Sequence, residues 1–340
     1  MAQSRWLAVS LMAFTVSPAL AQAPQDFYAG RKMDMVIGYT PGGNYDLYAR
    51  LIARTLGDYL PGNPSIIPRN MPGGGSRIAA AWLYSIAPKD GTALATFDQA
   101  LPIAQALRDP TLRFDLRDFN FIGNPARENN TVTAWHTSGV KTIEDAKTQE
   151  VTVGSTGAST SSQYAMAMNA LIGTRFKLVT GYPGGNDINL AMERGEVAVR
   201  GSNSWASWKS TRADWVRDNK INILVQIGLK RAPDLPNVPL MIELAKNDAD
   251  RAIFRLISAP TVIGRPIVTA PGVPAERVKM LRDAFDKMIH DPKFIATAAK
   301  EQFEIDFVPG EEMQQVVAEI VNTPEPALLR LKQIIEASGK

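Results

Sequence analysis

The sequence predicts an α/β protein of two similar lobes, and three observations carry that expectation. Strand-like and helix-like segments alternate. The alternation occurs twice, with a Gly-rich turn at the matching place in each round. At 340 residues, 45% hydrophobic, the chain exceeds what one core usually serves. Such alternation implies mostly parallel sheets flanked by helices, with a ligand crevice beyond the carboxyl ends of the strands.

The first round spans residues 33–97. Residues 33–39 read as a strand, and Thr40-Pro41-Gly42-Gly43-Asn44 breaks it. A helix follows with Leu47, Leu51, Ile52, Leu56 and Tyr59 on one stripe. Residues 65–68 form a short strand, MPGGGS opens a second helix with Ile78, Ala81, Trp82 and Ile86 as its apolar face, and 92–97 is a strand again. The second round repeats the order: strand 151–153, turn GSTGASTSS, helix 162–172, strand 176–180, turn GYPGGN, a helix through Ile188, Leu190, Ala191 and Met192, and strand 197–199. Farther on, 221–227 reads as a strand, 233–239 as a proline-rich turn and 254–268 as a strand-bearing region. Residues 275–289, 309–321 and 327–337 read as amphipathic helices. Crossings at 123–130 and 227–233 insert the second lobe in the first, giving lobe 1 as 27–126 plus 232–340 and lobe 2 as 127–231.

Residues 1–21 have the form of an export signal. Arg5 supplies the positive region, 7–16 the apolar run, and Ala19-Leu20-Ala21 a small-x-small cleavage site, so the mature chain is expected to start at Gln22 in the periplasm. The run is too short to span a bilayer, and no stable membrane insertion is expected. There is no cysteine, which removes disulfides and thiol chemistry. Of 37 basic residues only Arg5 lies in the leader; the remaining 36 against 34 acidic ones are scattered, which is no nucleic-acid footprint.

Both Gly-rich turns fall between a strand and a helix, where free backbone N–H groups carry partial positive charge. Thr40 to Asn44 in one lobe and Ser155-Thr156-Gly157-Ala158-Ser159-Thr160 in the other thus make two half-sites for an anion. Gly43 and Gly157 are expected at equivalent positions, where a side chain would block the approach or demand a φ that only glycine tolerates. Asp46 fits a first-turn acid bonded to helix N–H groups. The Tyr45 ring either lines the pocket or lies on the surface, and Asp98 and Gln99 either line the cleft or are solvated. Trp205, Trp208 and Trp215 share a helical face and read as packing.

Catalytic readings fail on detail. Gly73-Gly74-Gly75-Ser76-Arg77 lacks the Gly-Lys-Ser/Thr of a P-loop, no G-x-G-x-x-G follows the first strand, and Gly154-Ser155-Thr156-Gly157 lacks the spacing of a nucleophile elbow. With only His136 and His290, a histidine-rich metal site is not expected. His290 reads as a cation on the last turn of a helix. No cofactor and no metal are expected.

Seven segments occur in a telling order: GYTPGGNYDLYARLIA (38–53), RNMPGGGSRIAA (69–80), APKDGTALAT (87–96), VGSTGAST (153–160), GYPGGNDINLAMERGEVAV (181–199), RAPDLPNVPLMIELA (231–245) and TAPGVPAERVKMLRDAF (269–285). On these, nearly the whole mature chain resembles the extracytoplasmic solute receptors of tripartite tricarboxylate transporters, the Bug-type receptors. The resemblance implies a type II-like two-lobed periplasmic binding fold that closes on a small organic carboxylate, held largely by main-chain groups and water, and works with membrane subunits of the transporter. The ligand-binding set is then Thr40, Pro41, Gly42, Gly43, Asn44, Tyr45 and Asp46 with Ser155, Thr156, Gly157, Ala158, Ser159, Thr160 and Asn203. Family members often have small residues where this chain has Asn44 and Tyr45, and an acidic residue where it has Arg200, so the resemblance carries the site rather than a particular ligand. A receptor read by a membrane sensor kinase is the alternative, and a secreted α/β enzyme a more distant one.

Overall fold

The computed structural model describes residues 27–127 and 129–337; the expected leader lies outside them. Two sheets organise the chain. The first joins β1 (Lys32–Ile37), β2 (Ser65–Asn70), β3 (Ala93–Thr96), β4 (Asn120–Asn124), β10 (Ile267–Thr269) and β11 (Val308–Pro309) in the order β11-β4-β10-β3-β1-β2. The second joins β5 (Asn130–Trp135), β6 (Val151–Gly154), β7 (Phe176–Val179), β8 (Val199–Ser204) and β9 (Ile221–Ile227) in the order β7-β6-β8-β5-β9.

Both sheets are mixed rather than mostly parallel. β1 is parallel to β2 and β3, and β6 to β7 and β8, as the alternation predicts. The strands that carry the chain between sheets or back again, β4, β5, β9 and β10, run antiparallel to their neighbours. β4 and β5, which flank the first crossing, are absent from the expected pattern. β5 reads Asn-Thr-Val-Thr-Ala-Trp, and its Thr131 and Thr133 hydroxyls are buried but bonded to each other and to Trp208 Nε1. A central strand can therefore contain them at no cost in unpaired groups.

Other boundaries shift for identifiable reasons. The strand expected at 197–199 runs instead from Val199 through Arg200, Gly201, Ser202 and Asn203 to Ser204. Its polar residues face an internal cleft, so it has no apolar period. Residues 254–268 begin with the second half of a helix, Asp248–Ser258, whose cap Asn247 accepts from Asp250 N at 2.9 Å, and end in the short β10. Helix Pro292–Lys300 was not expected; Asp291 caps it, and proline sits at its first position. The helix Arg77–Ser85 turns inward the small residues Ala79 and Ala80 with Leu83, leaving Ile78 and Ile86 54% and 72% exposed. Small residues let this helix lie close to the sheet, and that outweighs the larger stripe.

Helices Asp248–Ser258 and Glu325–Ala337 both pack on helix Thr160–Ile172 of the second sheet, so residues 232–340 serve both lobes. Trp208 and Trp215 stack at 5.8 Å between centroids and are fully buried, as the packing reading expects, whereas Trp205 is half-buried and donates to Asp234 at 2.6 Å. Among the described residues no helix is long and apolar enough to cross a membrane.

Helix Asn44–Thr55 begins without a side-chain cap at Gly43. Asp46, in its first turn, reaches back instead: Oδ2 accepts from Gly42 N at 2.9 Å, Oδ1 from Asn70 Nδ2 at 2.8 Å, and both oxygens from Arg50 Nε at 2.9 Å. This buried carboxylate ties the turn to the end of β2. Asp46→Ala strands these donors and is expected to lower stability by about 3 kcal/mol. Urea unfolding followed by circular dichroism checks it; a loss under about 0.5 kcal/mol contradicts this role.

Candidate functional site

The carboxyl ends of both parallel strand sets point at one cleft. Tyr39 follows β1, Asp98 and Gln99 follow β3, Thr156 follows β6, and Ser202, Asn203 and Ser204 end β8. Because β5 and β10 run the other way, their beginnings reach the same place and contribute Asn130, Gly264 and Arg265. Together with Gly43, Asn44 and Tyr45 from the first turn, Thr160 and Ser161 from the start of helix Thr160–Ile172, and Gly185 and Ile188 from helix Gly185–Glu193, these residues enclose a cavity of about 70 Å³.

Of the expected ligand-binding residues, Gly43, Asn44, Tyr45, Thr156, Thr160 and Asn203 line this cavity. The others lie around it. Thr40 Oγ1 donates to Asp187 Oδ2 across the cleft at 2.9 Å, and the Ala158 carbonyl accepts from Arg77 Nη1 at 2.7 Å, so both positions join the lobes at the rim. Pro41 is exposed, and Asp46 is occupied by the bonds described above. The Ser155–Thr160 turn is satisfied largely by its own side chains. Ser155 Oγ lies 2.9 and 2.6 Å from the Ser161 and Ser162 hydroxyls, Thr156 Oγ1 2.8 Å from Ser159 Oγ, and Gly157 N donates to Ser155 Oγ at 3.2 Å.

The glycines differ from expectation. Positive φ occurs at Gly42 (83°) and Gly157 (92°), whereas Gly43 has φ −84° and ψ 166°, which any residue adopts. A Cβ at Gly43 would meet nothing within 4 Å, so its hydrogen leaves room rather than relieving strain. The Tyr45 ring lines the cavity, 4.9 Å from the Tyr39 ring, with its hydroxyl donating to Gly264 O at 3.1 Å and accepting from Gln99 N at 3.2 Å. His136 is exposed and His290, at the end of helix Ala275–His290, lies 2.9 Å from Asp286 O.

Three charged side chains reach the cavity. Asp98 is buried; its Oδ2 takes the Tyr39 hydroxyl, and its Oδ1 accepts from Ala100 N at 2.7 Å. Burial drives the Asp98 carboxyl above its ordinary value, opposed by the Tyr39 and Ala100 bonds, by Arg77 and by the Thr160 backbone N–H from the other lobe. Burial and the Asp98 charge likewise raise the Tyr39 hydroxyl, which stays a neutral donor. Arg265, with the Asn44 amide oxygen turned toward it, donates through Nε at 2.8 Å and also reaches Ser204 Oγ, while its guanidinium lies over the Tyr48 ring at 4.7 Å. Arg200 donates through Nη1 to Asn189 Oδ1 at 2.7 Å and through Nε to Ser202 O at 3.1 Å. Burial, then the neighbouring Arg212 charge, lower its pKa to about 9. The Asn203 Nδ2 donor is buried without a hydrogen-bond partner among the described residues.

Sequence reasoning did not place Tyr39, Asn130, Ser161, Gly185, Ile188, Ser202, Ser204, Gly264 or Arg265 in the site, and it noted Arg200 only as a departure. The available signals were position and polarity. Tyr39 lies two residues beyond the end of β1, and Val-Arg-Gly-Ser-Asn-Ser is too polar for a strand facing a core.

A family model for the tripartite tricarboxylate transporter family receptor matches residues 48–339. A Cupriavidus necator protein named "UPF0065 protein in gbd 5'region" is 28% identical over 334 residues, covering 96% of this chain and 95% of its own. Among solved structures, the periplasmic binding protein BugD superposes with a TM-score of 0.71 at 18% identity, over 92% of this chain and 99% of that one. The Rhodopseudomonas palustris protein Rpa4515 with adipate gives 0.69 at 20% identity, over 91% and 98%. The superpositions bear out the two-lobed binding fold, and with a family match over residues 48–339 this chain belongs to the tripartite tricarboxylate transporter family of receptors.

Proposed function

We propose that the protein is an exported receptor that closes its lobes on a small organic carboxylate and presents it to membrane subunits of a tripartite tricarboxylate transporter. One observation carries the reading: the cavity between the lobes holds the buried Arg200 guanidinium and an Asn203 Nδ2 donor unpaired among the described residues, a donor set that wants an anion. A solved relative with adipate supports the same ligand class. The lobes close about the two crossings, residues 123–130 and 227–233. Binding occurs without turnover, because the donors have no nucleophile and base paired among them and both histidines lie off the cavity lining.

A ligand that binds only the folded protein stabilises it by mass action, by about 2.7 kcal/mol at a hundredfold excess over its dissociation constant. A thermal-shift screen of mono-, di- and aromatic carboxylates is therefore expected to find at least one that raises the melting temperature and is recovered unchanged. Recovery of a converted compound would argue for an enzyme.

The two turns are expected to respond differently to a bulky side chain. Gly43→Val projects into open cleft at an unstrained φ, so it removes tight carboxylate binding while leaving the apo melting temperature within a few degrees of the parent. Gly157→Val meets a φ of 92°, costing about 1–2 kcal/mol of stability as well as binding. Calorimetry and thermal melts on both variants decide it; a folded Gly43→Val variant that binds like the parent removes the first turn from the site.

For export, N-terminal sequencing of protein from the periplasm is expected to begin at Gln22 or within a few residues of it. An intact Met1 on the exported product contradicts cleavage.

A further inference from the structure

The carboxylate reading leaves open which end of the cleft takes the charge, and the two helix starts facing it from the second lobe are not equivalent. Ahead of helix Thr160–Ile172, the Thr156 and Gly157 N–H groups are bonded to Ser161 and Ser155 hydroxyls, and the buried Asp98 carboxyl of the first lobe faces the Thr160 N–H. An incoming carboxylate would meet another carboxyl there. Helix Gly185–Glu193 differs: its first-turn carboxylate, Asp187, already accepts from the Thr40 hydroxyl of the first lobe, and a buried cation stands beside the helix start. Arg200 is only 7% exposed and faces no carboxylate among the described residues. Two of its guanidinium nitrogens are used by Asn189 and Ser202, whereas Nη2 has no hydrogen-bond partner among the described residues. That arm lies against the first residue of the helix: a Cβ on Gly185 would stand 2.0 Å from Nη2, so only glycine admits the guanidinium there. Asn203, 5% exposed, adds an Nδ2 donor, unpaired among the described residues, to the same cavity.

We propose that Arg200 is the specificity-determining residue of the cleft: its free Nη2, with the start of helix Gly185–Glu193 and Asn203 Nδ2, takes the ligand's carboxylate as the missing partner of a buried cation. The assignment rests on the carboxylate reading above. It selects ligands by charge and not by shape alone. A carboxamide of the same outline presents a neutral group to a desolvated guanidinium, leaving the charge unmatched.

The test measures binding of succinate, glutarate, adipate and benzoate, each beside its carboxamide counterpart, by calorimetry on the mature full chain. The parent is expected to bind at least one acid and to prefer it to its amide. Arg200→Gln is expected to lower the acid's affinity roughly ten- to a hundredfold, the worth of a charge-assisted hydrogen bond, and to bring the acid-to-amide ratio close to one. A merely structural arginine would weaken both ligands alike. A folded Arg200→Gln variant that keeps the parent's ratio overturns the assignment and leaves the carboxylate reading standing. If the parent binds none of the acids, both fall. Should circular dichroism show that Arg200→Gln does not fold, Arg200→Lys carries the test: it keeps a charge but not the planar fork, so the acid's affinity drops severalfold while the amide's holds, and parent-like binding overturns the assignment.

Discussion

The Asp46 carboxylate is the constraint on which the first-lobe half of the cleft depends. Glycine at 42 and 43 gives the turn after β1 its freedom, and freedom alone would leave helix Asn44–Thr55 without a fixed starting angle. Asp46 removes it by gathering Gly42 N, Arg50 and Asn70. Asn70 in turn donates to Tyr39 O at 2.8 Å, and the Tyr39 hydroxyl meets Asp98. One chain of polar contacts thus runs from the helix start through β2 and the segment after β1 to Asp98, two residues beyond β3. Each contact is worth little alone, but a buried network leaves its members unpaired if one is lost, so the elements are positioned together.

The cleft itself is an arrangement of charges held apart. Arg265 belongs to the first sheet's side and Arg200 to the second's, and the Asp98 carboxyl in the cavity wall is bound to Tyr39 and Ala100 and faces the far lobe's helix start. Burying a guanidinium costs desolvation that only a hydrogen-bonded anion restores. Polar bridges already cross the cleft, from Thr40 to Asp187, from Arg77 to Ala158 and from Asn44 to Ser204. These bridges make the lobes complementary without deciding what lies between them; under the proposed assignment, an anion in the cavity adds the remaining attraction.

Much of this was legible in the sequence, and the reasons are local. Periodicity fixed β1, β6, β9 and helices Asn44–Thr55 and Ala275–His290, since their apolar faces meet cores. The turn at 40–46 was legible because a Gly pair between strand and helix has few other uses, and Tyr45 and Asn44 do line the cavity. What escaped notice depends on tertiary context. β8 is polar because it borders the cleft, and β5 carries threonines whose hydroxyls find partners only after folding. Helix Arg77–Ser85 was assigned the wrong inner face because close approach through Ala79 and Ala80 outweighs the area of two isoleucines. The Ser-rich turn looked like a donor cradle, yet neighbouring hydroxyls take up its N–H groups, which no spacing rule anticipates.

That last difference explains why two Gly-rich turns of similar appearance play unlike parts. Glycine, serine and threonine all permit a tight strand-to-helix turn, but a hydroxyl two to five residues away competes with any ligand for the exposed N–H groups. In the first turn Pro41, Gly42 and Gly43 carry no hydroxyl, and Gly42 N is taken by Asp46. In the second, Ser155, Ser159, Ser161 and Ser162 close the loop on itself, and the residual partial charge of the helix faces Asp98 from the opposite lobe. The second turn therefore acts as a contact between lobes. The other helix start on that side is the one at Gly184-Gly185, and there the buried Arg200 guanidinium lies against Gly185.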